Sequence, residues 1–391
     1  MTDWFFRGEI PGSKSVFNRA LIVQSYFPNL HLRGHSECDD VRFMRESLSR
    51  LSGSSQLNCG EGGTTLRFLA LRASRMKGLH VLTGTRRLFE RPQIGLCDLL
   101  AQLGVEVELK DEALHLNSTG WKKPVTTIRV DTSESSQYAS ALVLNCWGLD
   151  FDLEFELVGS RISESYFVLT IEMLKFLGLE IFEKNGIFVV PKGQRLRNQT
   201  YNVDADISSA FTVASIGALH GPVAITNFPK DTDQPDKVFL KIFETMKIPF
   251  RLEGTILEVM PALDMRAVEW DLAQSPDLFP VLAVLCSWAN GTSRLYGAPH
   301  LAAKESDRIQ KVSDLFQRLG VKHQALPDGM IIEGQSQQVM KQAVKFNPDH
   351  DHRMVMAAVL MKLKGHQIEI EDTHAINKSF PEFWSIVGIQ P

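Results

Sequence analysis

The sequence predicts an α+β protein of two similar domains, each built of three αβ repeat units around buried helices. Two recurring segments carry that expectation. The first is helix-like and ends in an apolar pair, a glycine and a β-like stretch. It stands at residues 99–105, 173–179, 315–321 and 385–389. A weaker copy at 242–248 has Lys247 where the others have glycine, and a degenerate copy at 46–52 completes a set of six. Successive equivalent positions from 104 onward lie 68–74 residues apart. Glycine there suits a left-handed helix C-cap.

The second segment opens with polar capping residues and continues as a helix of small apolar side chains. In order, the openings are Gly12-Ser13-Lys14-Ser15, Gly62-Gly63-Thr64 and Ser133-Glu134-Ser135-Ser136. The second half supplies Asp206-Ile207-Ser208-Ser209, Ser275-Pro276-Asp277 and Asp349-His350-Asp351-His352. Runs such as Leu142-Val143-Leu144 and alanines such as Ala283, Ala357 and Ala358 predict helices buried on most sides. Between the helices, residues 81–83, 127–130, 188–190, 256–259 and 368–370 read as strands. One polar helix start is an ordinary cap. Six of them, several with a basic residue one turn later, predict converging anion sites built from N–H groups and helix dipoles.

Composition narrows the function. At 391 residues the chain is long enough for two or three domains, and 44% hydrophobic with 23% charged residues is a globular mix. Lys plus Arg number 42 against 46 for Asp plus Glu, a net charge of −4, which argues against nucleic acid as a partner. No apolar run reaches the ~18 residues of a membrane span, so no membrane partner is expected. The first eleven residues lack the basic and apolar regions of a secretory signal, and a cytoplasmic location is expected. Five scattered cysteines without a C-x-x-C spacing predict reduced thiols and no metal site.

The string Pro11-Gly12-Ser13-Lys14-Ser15-Val16-Phe17-Asn18-Arg19-Ala20-Leu21 lacks Walker A spacing but places Ser15 and Arg19 on one helix face beside Lys14. It resembles the opening signature of the EPSP synthase family. Further signatures follow in that family's order: Gly60-Glu61-Gly62-Gly63-Thr64-Thr65-Leu66-Arg67, residues 82–92 ending in Arg91-Pro92, and Ser135-Ser136-Gln137. Ser163 with Tyr166, Asp206 with Ser208-Ser209, and Pro276-Asp277 come next. Lys304-Glu305-Ser306-Asp307-Arg308, Asp351-His352-Arg353-Met354 and Asn377-Lys378-Ser379-Phe380-Pro381 complete the series.

The resemblance implies an inside-out α/β barrel in each domain, one at about residues 13–203 and the other at 1–12 plus 204–391. It implies transfer of the enolpyruvyl group of phosphoenolpyruvate to the 5-hydroxyl of shikimate 3-phosphate, with glyphosate as a phosphoenolpyruvate-competitive inhibitor. The substrates are small molecules, no cofactor or metal is implied, and a monomer is the expected state. Each substrate carries a carboxylate and a phosphate, which calls for many cations and for the planar fork of Arg. By the family's pattern Lys14, Ser15, Arg19, Ser135, Ser136, Gln137, Ser163, Asp277 and Lys304 would hold shikimate 3-phosphate. Lys14, Gly63, Arg91, Gln137, Arg308, Arg353 and Lys378 would hold phosphoenolpyruvate. Addition and elimination need a base at the hydroxyl and an acid at the methylene, exchanging roles in the second step. Asp277 is the expected base, Glu305 the expected acid, and Lys14 the cation steadying developing charge. The alternatives are that Asp277 is only an N-cap and Glu305 only a helix-face ion pair. Closure of the domains on shikimate 3-phosphate is also expected.

Four positions depart from the family's pattern. Glu61 stands for Asn, Phe68 for a Pro that often follows the Arg, His300 for Asn, and Lys247 for a repeat glycine. An unpaired Glu61 would repel a bound polyanion, so pairing with Arg86 or Arg87 is expected. Two competing functions are enolpyruvyl transfer to UDP-N-acetylglucosamine and non-catalytic binding on the same scaffold. The first would show a cysteine where Arg86 stands, and the second needs no acid and base.

Overall fold

Six helices with almost no exposed face organise the chain. They run Lys14–Tyr26, Gly63–Ser74, Gln137–Leu144, Ile207–Leu219, Phe279–Ser287 and His352–Leu363. Each begins at or within four residues of one of the polar openings. In Phe279–Ser287 every residue is buried, and in Ile207–Leu219 every residue but Ser208. A helix that is apolar all round has only the interior to occupy. The structure, a computed structural model, describes residues 4–52, 56–334, 339–340 and 342–390.

The chain divides into two compact units, Gly12–Val203 and Met1–Pro11 with Asp204–Pro391. In the first, the helices Lys14–Tyr26, Gly63–Ser74 and Gln137–Leu144 pack on one another within a single apolar core. In the second, Ile207–Leu219, Phe279–Ser287 and His352–Leu363 do the same. Burying a Leu, Ile or Phe side chain at such a position contributes about 1.5–3 kcal/mol, which favours three helices sharing one core over three separate ones.

Outer helices follow the repeats. Phe239–Met246 buries Phe239, Ile242, Phe243 and Met246, the one-sided spacing of an amphipathic helix. Arg308–Leu319 likewise buries Ile309, Val312, Leu315, Phe316 and Leu319. The glycines after these segments adopt positive φ, 108° at Gly178 and 70° at Gly320. Lys247 takes the same left-handed conformation at φ 58° despite its Cβ. The degenerate first copy ends differently, with right-handed Leu51 as C-cap.

Four mixed sheets share one pattern: a parallel pair, then an antiparallel strand and its hairpin partner. In one, Gln56–Asn58 runs parallel to Gly78–Thr83, which pairs antiparallel with Ala113–Ser118, itself paired with Glu106–Lys110. The sheets seeded by Ile128–Asp131, Phe6–Gly8 and Glu269–Asp271 repeat it. Among the described residues the first and last repeats show a parallel pair alone, Thr200–Asn202 with His31–Arg33 and Val344–Phe346 with Ile368–Ile370. The seeding strand Phe6–Gly8 pairs with Val223–Ile225, which ties the N-terminal segment into the unit that resumes at Asp204. Thr200–Asn202 closes the other unit in the same way. Among the described residues no helix is long and apolar enough to cross a membrane.

Candidate active site

In the unit that resumes at Asp204, the expected site residues gather around Arg308, first residue of its helix and only 1% exposed. Its Nη1 donates to Asp277 Oδ1 at 2.9 Å, its Nη2 to Glu305 Oε2 at 3.0 Å, and its Nε to Asp351 Oδ2 at 2.8 Å. Asp351 is the N-cap of His352–Leu363, accepts from the Arg353 backbone N–H at 3.0 Å, and is fully buried. Ser306 Oγ donates to the same carboxylate at 3.0 Å. Burial alone would lower the Arg308 pKa; Asp351, Glu305 and Asp277 outweigh it and raise it.

Asp277 lies in the single turn Pro276–Leu278 that leads into Phe279–Ser287. It makes no cap bond. Arg353 Nη2 approaches its Oδ2 at 2.9 Å, and Lys304 Nζ lies 3.6 Å from its Oδ1. Burial pushes its pKa up, but Arg353, Lys304 and Arg308 outweigh that push and hold the carboxyl well below its usual range. Glu305 sits in the turn before the Arg308 helix, 14% exposed at its side chain, with Lys378 Nζ 3.7 Å from its Oε1. It does form an i,i+3 pair with Arg308, but from an irregular segment rather than from a helix face.

Two neighbours extend the cluster. Arg353 Nη2 also donates to Ser208 Oγ at 3.1 Å, and Ser208 in turn donates to Asp236. Burial first, and then Asp277, push the Asp236 carboxyl up to about 6. Burial, with Lys304 adding, pushes the His300 imidazole down to about 3. His300 is therefore neutral at ordinary pH, with one donor and one acceptor nitrogen.

The Gly12–Val203 unit carries the other expected residues. Lys14 Nζ lies 3.1 Å from Asp40 Oδ2. Arg19, 1% exposed, donates from Nη1 to Ser15 Oγ at 2.7 Å, from Nε to Thr170 Oγ1 at 2.7 Å, and from Nη2 to the Tyr166 carbonyl at 3.1 Å. Its guanidinium also lies 5.2 Å from the Phe68 ring centroid, so the unusual Phe68 supports it from below. Burial pulls the Arg19 pKa down to about 10, which leaves it charged. Arg19 is thus placed beneath Ser15, with its fork committed to holding that residue and the Tyr166 turn.

Gly63 opens the second inner helix, and a Cβ there would stand 2.9 Å from Arg91 Nη1. Glycine lets the Arg91 guanidinium lie against the helix start. Ser135 Oγ accepts from the Gln137 backbone N–H at 3.2 Å, and Ser136 is the N-cap of Gln137–Leu144. Ser163, also buried, caps Glu164–Leu177 at φ 53°, a left-handed conformation rare for serine. Arg86 is held by Glu90 at 2.9 Å and by Glu112 at 3.7 Å, not by Glu61. Of the two expected partners of Glu61, Arg86 is thus taken up by Glu90, one helical turn on.

Of the expected residues, Asp277, Lys304, Glu305, Arg308, Arg353 and Lys378 meet in one cluster. Lys14, Ser15, Arg19, Gly63, Arg91, Ser135, Ser136, Gln137 and Ser163 belong to the other unit. Sequence reasoning missed Asp40, Arg67, Thr170 and Asp236 as partners. Arg67 was visible in its signature; Asp236 had no local signal.

A family profile described as EPSP synthase (3-phosphoshikimate 1-carboxyvinyltransferase) matches residues 30–387. A 3-phosphoshikimate 1-carboxyvinyltransferase of Syntrophobacter fumaroxidans is 30% identical, with 96% of this chain and 94% of the relative covered. The enzyme of the same description from Pyrococcus abyssi is 34% identical over 84% of this chain and 77% of its own. An EPSP synthase structure from Acinetobacter baumannii superposes with a TM-score of 0.76 at 21% identity, covering 98% of this chain and 95% of that one.

Proposed function

Because the chain belongs to the EPSP synthase family, we propose that it transfers the enolpyruvyl group of phosphoenolpyruvate to the 5-hydroxyl of shikimate 3-phosphate and releases phosphate. The observation that carries this reading is the Arg308 cluster, in which the expected base and acid share one buried guanidinium.

In the first step the hydroxyl oxygen bonds to C2 of phosphoenolpyruvate. Its proton passes to Asp277, and Glu305 delivers a proton to the methylene, which becomes a methyl. In the second step the C2–O bond to phosphate breaks and the methyl returns a proton, restoring the alkene. Lys14 steadies the charge on the bridging oxygens. Shikimate 3-phosphate is held by Ser15, steadied by Arg19, with Ser135, Ser136, Gln137, Ser163 and Lys304. Phosphoenolpyruvate is held by Lys14, Arg91, Gln137, Arg308, Arg353 and Lys378, with the Gly63 backbone close by.

Asp277 is a weak base while Arg353 and Arg308 grip both its oxygens. A substrate carboxylate or phosphate drawing on those arginines loosens the grip and raises the proton affinity of Asp277. Binding the anion thus prepares the base. Full-length protein with both substrates should release phosphate in a coupled assay, and omission of either substrate should abolish release. Release with UDP-N-acetylglucosamine in place of shikimate 3-phosphate would reassign the acceptor.

A further inference from the structure

Arg67 is almost fully buried, and none of the roles above uses it. Its Nη1 meets Gln137 Oε1 at 2.7 Å, and its Nη2 donates to the Pro92 carbonyl at 3.1 Å. The guanidinium lies 5.1 Å from the centroid of the Tyr138 ring, whose hydroxyl donates to the same Pro92 carbonyl at 2.9 Å. Gly95 packs against Tyr138 so closely that a Cβ there would stand 2.6 Å from the ring. One arginine therefore ties the start of Gln137–Leu144 to the segment that follows Arg91.

A guanidinium has only donors, so the end of the Gln137 amide that meets it is the oxygen. The nitrogen, with two N–H donors, is then the end left to face an anion. We infer that Arg67 is a positioning residue: it fixes the Gln137 amide so that it presents donors, and it pins Pro92 so that Arg91 keeps its place against Gly63. The inference rests on the proposed reading of Gln137 and Arg91 as phosphoenolpyruvate ligands. Arg67 touches no substrate and acts through these two.

The test is a double-mutant cycle of Arg67→Gln and Gln137→Ala, read twice: by steady-state KM for each substrate, and by the unfolding midpoint titrated with phosphoenolpyruvate alone, so that no turnover consumes it. Arg67→Gln should raise the phosphoenolpyruvate KM about 10–100-fold, the size of a lost hydrogen bond to a charged group. The shikimate 3-phosphate KM should move several-fold less, and kcat should fall less than KM rises. In the Gln137→Ala background the same change should cost at least about fivefold less. Arg67→Lys, which keeps charge and a donor, should recover part of the loss and serves if the Gln variant fails to fold. Equal effects in both backgrounds, or equal shifts of both KM values, overturn the inference. The midpoint titration needs no turnover. A parent protein that releases no phosphate would count against the proposed reaction, while the titration still decides the role of Arg67.

Discussion

Arg353 Nη2 stands 2.9 Å from Asp277 Oδ2, while the other oxygen of that carboxylate is held by Arg308. Asp277 is thus gripped on both oxygens by groups that the proposed reaction also assigns to substrate. Its charge state, its proton affinity and the affinity for phosphoenolpyruvate are coupled through two arginines.

Replacing that carboxylate should damage chemistry more than binding. Asp277→Asn should lower turnover on the order of 10²–10⁴-fold, the size of a lost acid–base contribution, with shikimate 3-phosphate affinity nearly kept. Glu305→Gln should behave alike and also lose isotope exchange into the phosphoenolpyruvate methylene. Wild-type turnover in both variants would remove them from the reaction.

The same grip makes a pH prediction for stability. The folded Asp277 pKa is depressed, so its contribution is present above its unfolded value, about 4, and fades as pH falls towards the folded value. Asp277→Asn should unfold at a lower temperature than the parent at pH 6–7, and the gap should narrow below about pH 4. Calorimetry across that range checks it; a gap independent of pH contradicts it.

Asp236 should show the opposite sign. Burial and then Asp277 raise its folded pKa to about 6, above an unfolded value of about 4. Stability from this group is intact below pH 4 and lost as pH rises through 6. Asp236→Asn should therefore gain stability on the parent between about pH 4 and 7. A relative loss over that interval would show that Asp236 folds ionised.

Lys247 pays a steric cost that glycine avoids. At φ 58° a Cβ crowds the following carbonyl, a cost of roughly 1–2 kcal/mol. Lys247→Gly should raise the unfolding midpoint of its unit by about 2–4 °C, the effect of about 1 kcal/mol in a domain of this size. A lower midpoint would mean that the lysine side chain contributes more than its backbone costs.

Much of this fold was legible because it repeats. The strand at 256–259 and the strand at 368–370 coincide with Ile256–Val259 and Ile368–Ile370. The strand expected at 127–130 lies at Ile128–Asp131, one residue later. Apolar runs without a polar face announced the inner helices, and a left-handed stop was readable even where Lys247 replaced glycine. What the sequence hid was partnership over long separations. Nothing near Asp236 points to Ser208, and nothing near Arg67 points to Gln137, because these contacts arise only when repeats stack. Arg86 is claimed locally: its i,i+4 neighbour Glu90 is legible in the sequence and takes the guanidinium ahead of Glu61.

The most direct test of the proposed reaction follows one oxygen atom. Phosphoenolpyruvate labelled with ¹⁸O at the bridging position is incubated with shikimate 3-phosphate and the full-length protein. Attack at C2 followed by elimination breaks the C–O bond, so the label should leave in inorganic phosphate, and the enolpyruvyl carbons should appear as an ether on the 5-oxygen of shikimate 3-phosphate. Label retained in pyruvate, with no ether formed, would show hydrolysis at phosphorus and contradict enolpyruvyl transfer.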